Sequence, residues 1–319
     1  MKKSTIFRTI AVVAVFVFIF FIADYVLYPC TFTRNDIHAV LTEHHDDIFI
    51  GTSHGKMGIC PTSVSEITKK EGHNLCVGGE YPEDAYHIVK LLNEKNKPER
   101  IIYEVSPAYF MQDKEQGSNY MLIYHEFPLS MAKLDYFKNS IIGYDFRSLI
   151  MPYYEYDIEK ILPRFKDTVT TKINHDYSEE LFKSESQKYH KDGFIERYPV
   201  DISGETPNLE YAFVQEKVKE RNMDYLGKMV DYCKENNIEF VAVITPVPDE
   251  TLEKYKENYE NADKYFKTFF DEKEVKYYNF NAEYYKFASH DMTHFTDFDG
   301  HMNGDAAKSF SRVFAHFLK

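Results

Sequence analysis

Two short stretches near opposite ends of the chain carry the residue types that acyl chemistry requires. The first is Phe49-Ile50-Gly51-Thr52-Ser53-His54-Gly55. An apolar run that ends in a small residue and then a serine delivers a hydroxyl to the edge of a sheet. A helix starting there would aim its unpaired N–H groups at an oxyanion beside that hydroxyl. The same Gly-x-Ser also describes a serine that only caps a helix. It lacks the second glycine of a Gly-x-Ser-x-Gly elbow. The other stretch, Phe295-Thr296-Asp297-Phe298-Asp299-Gly300-His301-Met302-Asn303-Gly304, is a turn-rich acidic loop that presents a histidine. An imidazole that takes a proton from serine needs a carboxylate on its other ring nitrogen, and Asp297 or Asp299 could supply it. Calcium is the competing use of Asp297, Asp299 and Asp305, but the closing glutamate of an EF-hand is missing. A third place is Gly78-Gly79, which either admits a backbone N–H to a developing oxyanion or simply turns the chain. No metal and no cofactor is expected.

These residues act together only if a scaffold brings them to one edge. Apolar runs over Asp47–Ile50, Asn74–Val77, Arg100–Val105, Ile238–Ile244 and Val275–Asn279 read as five strands. Amphipathic periodicity over Pro82–Asn96, Leu209–Asn236, Asp249–Asp271 and Ala306–Leu318 predicts helices between and after them. Strand then helix, repeated, predicts an α/β fold with a mainly parallel sheet and helices on both faces, in three layers. Ligands of such sheets bind beyond the carboxyl ends of the strands, where all three chemical stretches fall. Between Ala108 and Pro207 the rhythm breaks into a segment crowded with Tyr, Phe and charge. It reads as a largely helical insertion, or lid, over one edge of the sheet.

The N-terminus is the other strong signal. Basic residues Lys2, Lys3 and Arg8 precede an apolar run, and Thr9–Leu27 approaches the roughly 20 residues that span a bilayer core. The basic flank keeps the N-terminus cytoplasmic. This predicts residues 1–29 as cytoplasmic tip and plasma-membrane anchor, and 30–319 as an extracellular domain. A cleaved signal peptide fits less well, because Phe21-Ile22-Ala23 is a poor cut site. The net charge of −13 argues against nucleic acid as a partner. The four cysteines show no zinc spacing. Cys60 and Cys76 would follow adjacent strands, yet spacing alone does not pair them, and buried small hydrophobes are the default for scattered cysteines.

Together, Gly51-Thr52-Ser53 after the first strand, a glycine after the second and His301-x-Asn303 before the last helix resemble the SGNH/GDSL hydrolase superfamily, a flavodoxin-like fold. The N-terminal anchor, Glu104-Val105-Ser106-Pro107 and Ala306-Ala307-Lys308-Ser309-Phe310 make the ensemble similar to its membrane-anchored cell-envelope branch. That branch includes the lipoteichoic-acid D-alanylation protein and the alginate O-acetylation accessory proteins. The resemblance implies a serine esterase or acyltransferase with Ser53 as nucleophile, His301 as base, and Asp297 or Asp299 as its orienter. Ser53 and Gly78 or Gly79 would supply oxyanion N–H groups, with His54 and Ser106 among the binding residues. It also implies a polytopic membrane O-acyltransferase as partner, and a surface polysaccharide or teichoic acid as acceptor of acetyl or D-alanyl groups. Three features depart from the pattern. The usual acid position, three before the histidine, is Phe298. The usual third-block asparagine has only Ser106 nearby. Asp36-Ile37-His38 echoes an Asp-x-His of alginate-type members but lies close to the anchor, and reads as coincidence. The alternative is a non-catalytic scaffold or polymer-binding accessory protein.

Overall fold

The computed structural model of the chain describes residues 3–114, 123–143, 158–174, 177 and 179–319. Its frame is a five-stranded sheet in the order β2-β1-β3-β6-β7, from β1 (Asp47–Ile50), β2 (Gly72–Asn74), β3 (Arg100–Glu104), β6 (Glu239–Ile244) and β7 (Lys276–Asn279). Every pairing in it is parallel. Alternation along each strand sorts side chains into two cores. Ile48, Ile50, Ile101, Tyr103, Phe240 and Ala242 face one, while Phe49, Ile102, Val241 and Val243 face the other. On the first side lie α2 (Phe32–Thr42), α5 (Pro82–Lys95), α10 (Glu220–Glu235) and α12 (Lys256–Glu272), contributing Ile37, Ile88, Leu226 and Phe266. On the second lie α4 (Pro61–Thr68) and α13 (Gly304–Ala315), contributing Val64, Phe310 and Phe314. The result is three layers, α/β/α, as a strand buried on both faces requires.

Strand positions follow the apolar runs, with one shift. The second strand is Gly72–Asn74 rather than Asn74–Val77, because the Asn74 amide turns inward to donate to the Gly55 and Ile59 carbonyls at 2.8 and 2.7 Å. Residues 75–77 continue beside β1, with Leu75 N donating to Phe49 O and Val77 N to Gly51 O, each at 2.8 Å. The helix expected over Leu209–Asn236 begins only at Glu220. Lys219 N donates to Phe110 O, and the Asn222 amide donates to the Tyr109 and Gln112 carbonyls. The chain before Glu220 is thereby held against α6 (Pro107–Phe110) instead of coiling. Asp249–Asp271 is two helices, α11 (Asp249–Lys254) and α12, meeting at Tyr255.

Within the described part of 108–207 lie α7 (Met131–Asn139), a helical stretch of α8 (Ile158–Ile161), a 3-10 turn and α9 (Phe165–Asn174), and the antiparallel hairpin of β4 (Gln187–Tyr189) with β5 (Ile195–Arg197). The helix α7 packs on α5, and β5 on α13 and on α3 (Ser53–Gly58). The hairpin turn reaches the sheet edge, where Asp192 O accepts from Asn74 N. At the N-terminus, α1 (Lys3–Leu27) contains one stretch, Ser4–Leu27, long and apolar enough to cross a membrane. All four cysteines are free thiols. Cys60 and Cys76 do not pair; the Cys76 sulfur lies against Gly55, where an added Cβ would come within 2.6 Å of it.

Candidate functional site

The chain leaves β1 toward β2 on one side and returns to β3 on the other, so the carboxyl ends of β1 and β3 flank a switch point, where open α/β sheets form crevices. Gly51 ends β1 with φ +147°, and a Cβ there would sit 2.7 Å from Glu104 Cβ. That close approach lets the Glu104 carboxylate, from the end of β3, take two bonds from Thr52. Both Thr52 N and Thr52 Oγ1 donate to Glu104 Oε2 at 2.8 Å. Thr52 is also the N-cap of α3. The next residue, Ser53, is thus fixed at the first position of the helix, with its side chain half-buried at the cavity.

The other half comes from the loop before α13. Ser53 Oγ lies 2.8 Å from His301 Nε2, and His301 Nδ1 lies 2.7 Å from Asp297 Oδ2. The second Asp297 oxygen accepts the backbone N–H groups of Asp299, Gly300 and His301, at 3.1, 3.1 and 3.2 Å. Of the two aspartates left open by the sequence, Asp297 is the one on the imidazole. Its spacing of four residues, where three was expected, follows from the loop. Phe298 turns into the protein, and its carbonyl accepts from Thr251 Oγ1 at 2.7 Å. Gly300 adopts φ +109°, and a Cβ there would come 2.6 Å from Val247 Cγ1. The loop is closed by Thr296 N donating to His301 O and Asn303 N donating to His294 O, at 2.8 and 2.9 Å. Asn303 then caps α13 by accepting from Ala306 N.

The remaining expected residues fall around this chain. The His54 ring stacks on His301, with centroids 4.4 Å apart and planes 13° apart. Its Nε2 lies 3.1 Å from the Asp299 carbonyl, a donor's position. Asp299 therefore serves this loop through its backbone, not as the acid on His301. A Cβ on Gly78 would meet Ser53 Cβ at 3.8 Å, so this backbone runs beside the serine. Gly79 follows with φ +80°, a turn that favours glycine. Among the described residues, neither Ser53 N nor Gly78 N donates to a protein acceptor. Ser106 lines the same cavity without bonding to Ser53, and Asp36 does not reach the site.

Charge is distributed unevenly. Burial pushes the Asp297 carboxyl up, but the hydrogen bond and charge of His301 and the backbone N–H outweigh it and leave it below the usual value. Burial and the Asp297 charge push Asp299 up. Burial, then His301, pull His54 down to about 3, so its ring is neutral and does not compete for the proton. Burial also raises Glu104, against the Thr52 hydrogen bonds. A cavity of about 290 Å³ opens at Ser53 and His301, walled by Val105, Tyr109, Phe213, Ile244 and Tyr259 among others.

The sequence singles out Glu104-Val105-Ser106-Pro107 without giving Glu104 its role as clamp on the Thr52 turn, and residues 209–213 read as helix, not as cavity wall. The apolar strand ending in a glutamate was the one available sign of the first. A doubly wound α/β chain with a serine–histidine–aspartate line at its switch point is the class that this fold and geometry define. No family model matches the sequence, and no curated protein matches it. Among solved structures the chain is similar to a protein described as lipolytic and of the G-D-S-L family, from Desulfitobacterium hafniense DCB-2. The identity is 9% and the TM-score 0.36, over 85% of this chain and 98% of that one. A likeness that remote bears on neither substrate nor residue roles.

Proposed function

We propose that the chain is a membrane-anchored serine acyl-transfer enzyme of the SGNH/GDSL kind, working through an acyl-enzyme on Ser53. The observation that carries this is the continuous Ser53–His301–Asp297 line at 2.8 and 2.7 Å, at the mouth of a cavity. Ser53 Oγ attacks the ester carbonyl while His301 Nε2 takes its proton, and Asp297 on Nδ1 stabilises the imidazolium. The N–H groups of Ser53 and Gly78 meet the oxyanion. His301 then passes the proton to the departing alcohol oxygen. In the second half, an acceptor hydroxyl, or water, gives its proton to His301 as its oxygen bonds the acyl carbon. The proton returns to Ser53 Oγ as the product leaves.

The cavity lies at the small end of the pocket range, which suits an acyl group rather than a polymer repeat. We assign the acyl moiety to it and the acceptor to its mouth. Acetyl or D-alanyl as the acyl group, a surface polysaccharide or teichoic acid as acceptor, and a polytopic O-acyltransferase as donor partner rest on the motif resemblance alone. The scaffold alternative drew on the displaced acid, and Asp297 at hydrogen-bond distance removes that ground. The test is p-nitrophenyl acetate turnover by the full chain in detergent. Turnover that falls to background in both Ser53→Ala and His301→Ala supports the proposal, and turnover unchanged in either one contradicts it.

A further inference from the structure

The anchor is exposed along most of its length and covered only at its outer end. Side chains from Ile6 to Ile22 include large exposed hydrophobics, whereas Tyr28 is fully buried. A helix of 24 residues is about 36 Å long, slightly more than a hydrocarbon core of about 30 Å. Residues 24–28 therefore lie at the level of the headgroups, and whatever binds them lies there too.

What binds them is the helical stretch 158–174. Its α9 part packs on α1, and the buried Lys172 ammonium donates to the Tyr25 and Tyr28 carbonyls. Thr168 O accepts a weak bond from the Cys30 thiol at 3.9 Å. From the other side Arg34, just past the anchor, pairs with Glu126 at 2.6 Å. Burial lowers Lys172 and Lys133 to about 8, and both are held up in part by the Asp24 charge at the same end of α1.

This stretch also exposes large apolar side chains. Ile158, Leu162, Phe165 and Ile173 are 50, 60, 55 and 65% exposed, with the half-buried Val169 between the last two. Phe165, Val169 and Ile173 recur every four residues along α9, and Ile158 and Leu162 precede them on α8 and the 3-10 turn. With Lys172 buried on the anchor, its sequence carries three other basic residues, Lys160, Arg164 and Lys166, against Glu159 and Asp167. A stripe of this kind in water marks an interaction surface. Held at headgroup level beside the anchor, it matches a helix lying in the lipid interface.

We infer that residues 158–174 form a second membrane contact, an in-plane helix whose Ile158–Leu162–Phe165–Ile173 stripe enters the lipid interface beside the anchor. The domain then sits against the bilayer instead of swinging on a tether, because the helix is bonded to the anchor's own carbonyls. The inference rests on α1 crossing the membrane, and the experiment separates the two.

The chain contains no tryptophan, so single substitutions give clean probes. Full-length Phe165→Trp, Ile173→Trp, Phe16→Trp and Phe287→Trp variants are reconstituted at high dilution in phosphatidylcholine–phosphatidylglycerol vesicles. Some of the lipids are brominated, on either upper or terminal acyl carbons. Phe165→Trp and Ile173→Trp should lose about half their emission to upper-carbon bromines and little to terminal ones, as expected for a helix about 5–10 Å deep. Phe16→Trp should be quenched by terminal bromines, and Phe287→Trp, on the domain surface, by neither. Quenching of Phe16→Trp with none for Phe165→Trp and Ile173→Trp leaves the anchor standing and overturns the second contact. The same holds if their emission changes only with protein density, since a second copy would then cover the stripe. If Phe16→Trp is not quenched, the anchor reading falls and this inference falls with it.

Discussion

Two carboxylates bracket Ser53 through its neighbours, Asp297 on His301 and Glu104 on Thr52, and the protein treats them in opposite ways. Asp297 sits in a half-open loop, faces an imidazole and three N–H donors, and is held below the usual carboxylate range. Glu104 is fully buried at the end of β3, forms no ion pair among the described residues, and is pushed up. The first is placed to work as a charge on His301, the second to work as an acceptor on the Thr52 turn. A similar contrast separates the buried groups around α3. Asp36 is matched by Lys56 at 2.6 Å and by His73 and Tyr189 at 3.1 and 2.6 Å. Glu80, just past Gly78-Gly79, is buried, and neither of its oxygens has a hydrogen-bond partner among the described residues. Charge is kept where a partner answers it, and suppressed where none does.

The largest expected effect separates Asp297 from Glu104. Asp297→Asn should lower kcat by about 10⁴-fold through the wrong imidazole tautomer, with the folded structure intact. Glu104→Gln keeps an acceptor for Thr52 and should cost less than about tenfold. Steady-state ester hydrolysis on both variants decides it, and equal losses would erase the distinction.

Next comes Lys56→Met, which leaves the Asp36 charge buried without its ammonium. Breaking such a pair costs about 3–5 kcal/mol, readable by urea unfolding. In the wild type burial pushes Asp36 up, but Lys56 and His73 outweigh it and hold it down. Its stabilisation is therefore present above the ordinary aspartate value and lost as pH falls through the lowered one. Lys56→Met should flatten that acid limb; a limb unchanged in the variant would mean that the pair is not its source.

Glu104→Ala removes the acceptor shared by both Thr52 donors and should cost about 1–3 kcal/mol in unfolding free energy. A neutral result would show the clamp to be dispensable.

The smallest effect belongs to Glu80→Gln. Burial, then the Asp84 and Glu104 charges, raise Glu80 well above its ordinary value. The folded state therefore holds a proton that the unfolded chain releases, and wild-type stability falls as pH rises from the ordinary glutamate value toward the raised one. The variant should lose that decline, and thermal unfolding from pH 5 to 8 would reveal it. An unchanged decline assigns it elsewhere.

How much of this was legible in the sequence depended on range. Phe49-Ile50-Gly51 announced a buried strand that turns, and the apolar periodicity over Pro82–Asn96 announced a helix, because both signals are local. Asp297 against Asp299 was open, because the choice turns on Gly300 packing against Val247, from a strand end some fifty residues earlier in the chain. The helix over 209–219 failed for a related reason. Its periodicity is real, but Phe110 O and the Asn222 amide hold that segment in place, and no local pattern encodes a carbonyl a hundred residues away. Asp36 looked like an echo of a motif near the anchor. Its partners Lys56, His73 and Tyr189 lie on three other elements, which only the fold brings together.

The central claim is that His301 activates Ser53 as a nucleophile. The direct test is to treat the full-length protein with a fluorophosphonate and map the adduct by peptide mass spectrometry, in wild type and His301→Ala. A single adduct on Ser53 that disappears in the variant is the result predicted here. An adduct on another residue, none at all, or equal labelling of Ser53 without His301 would contradict it.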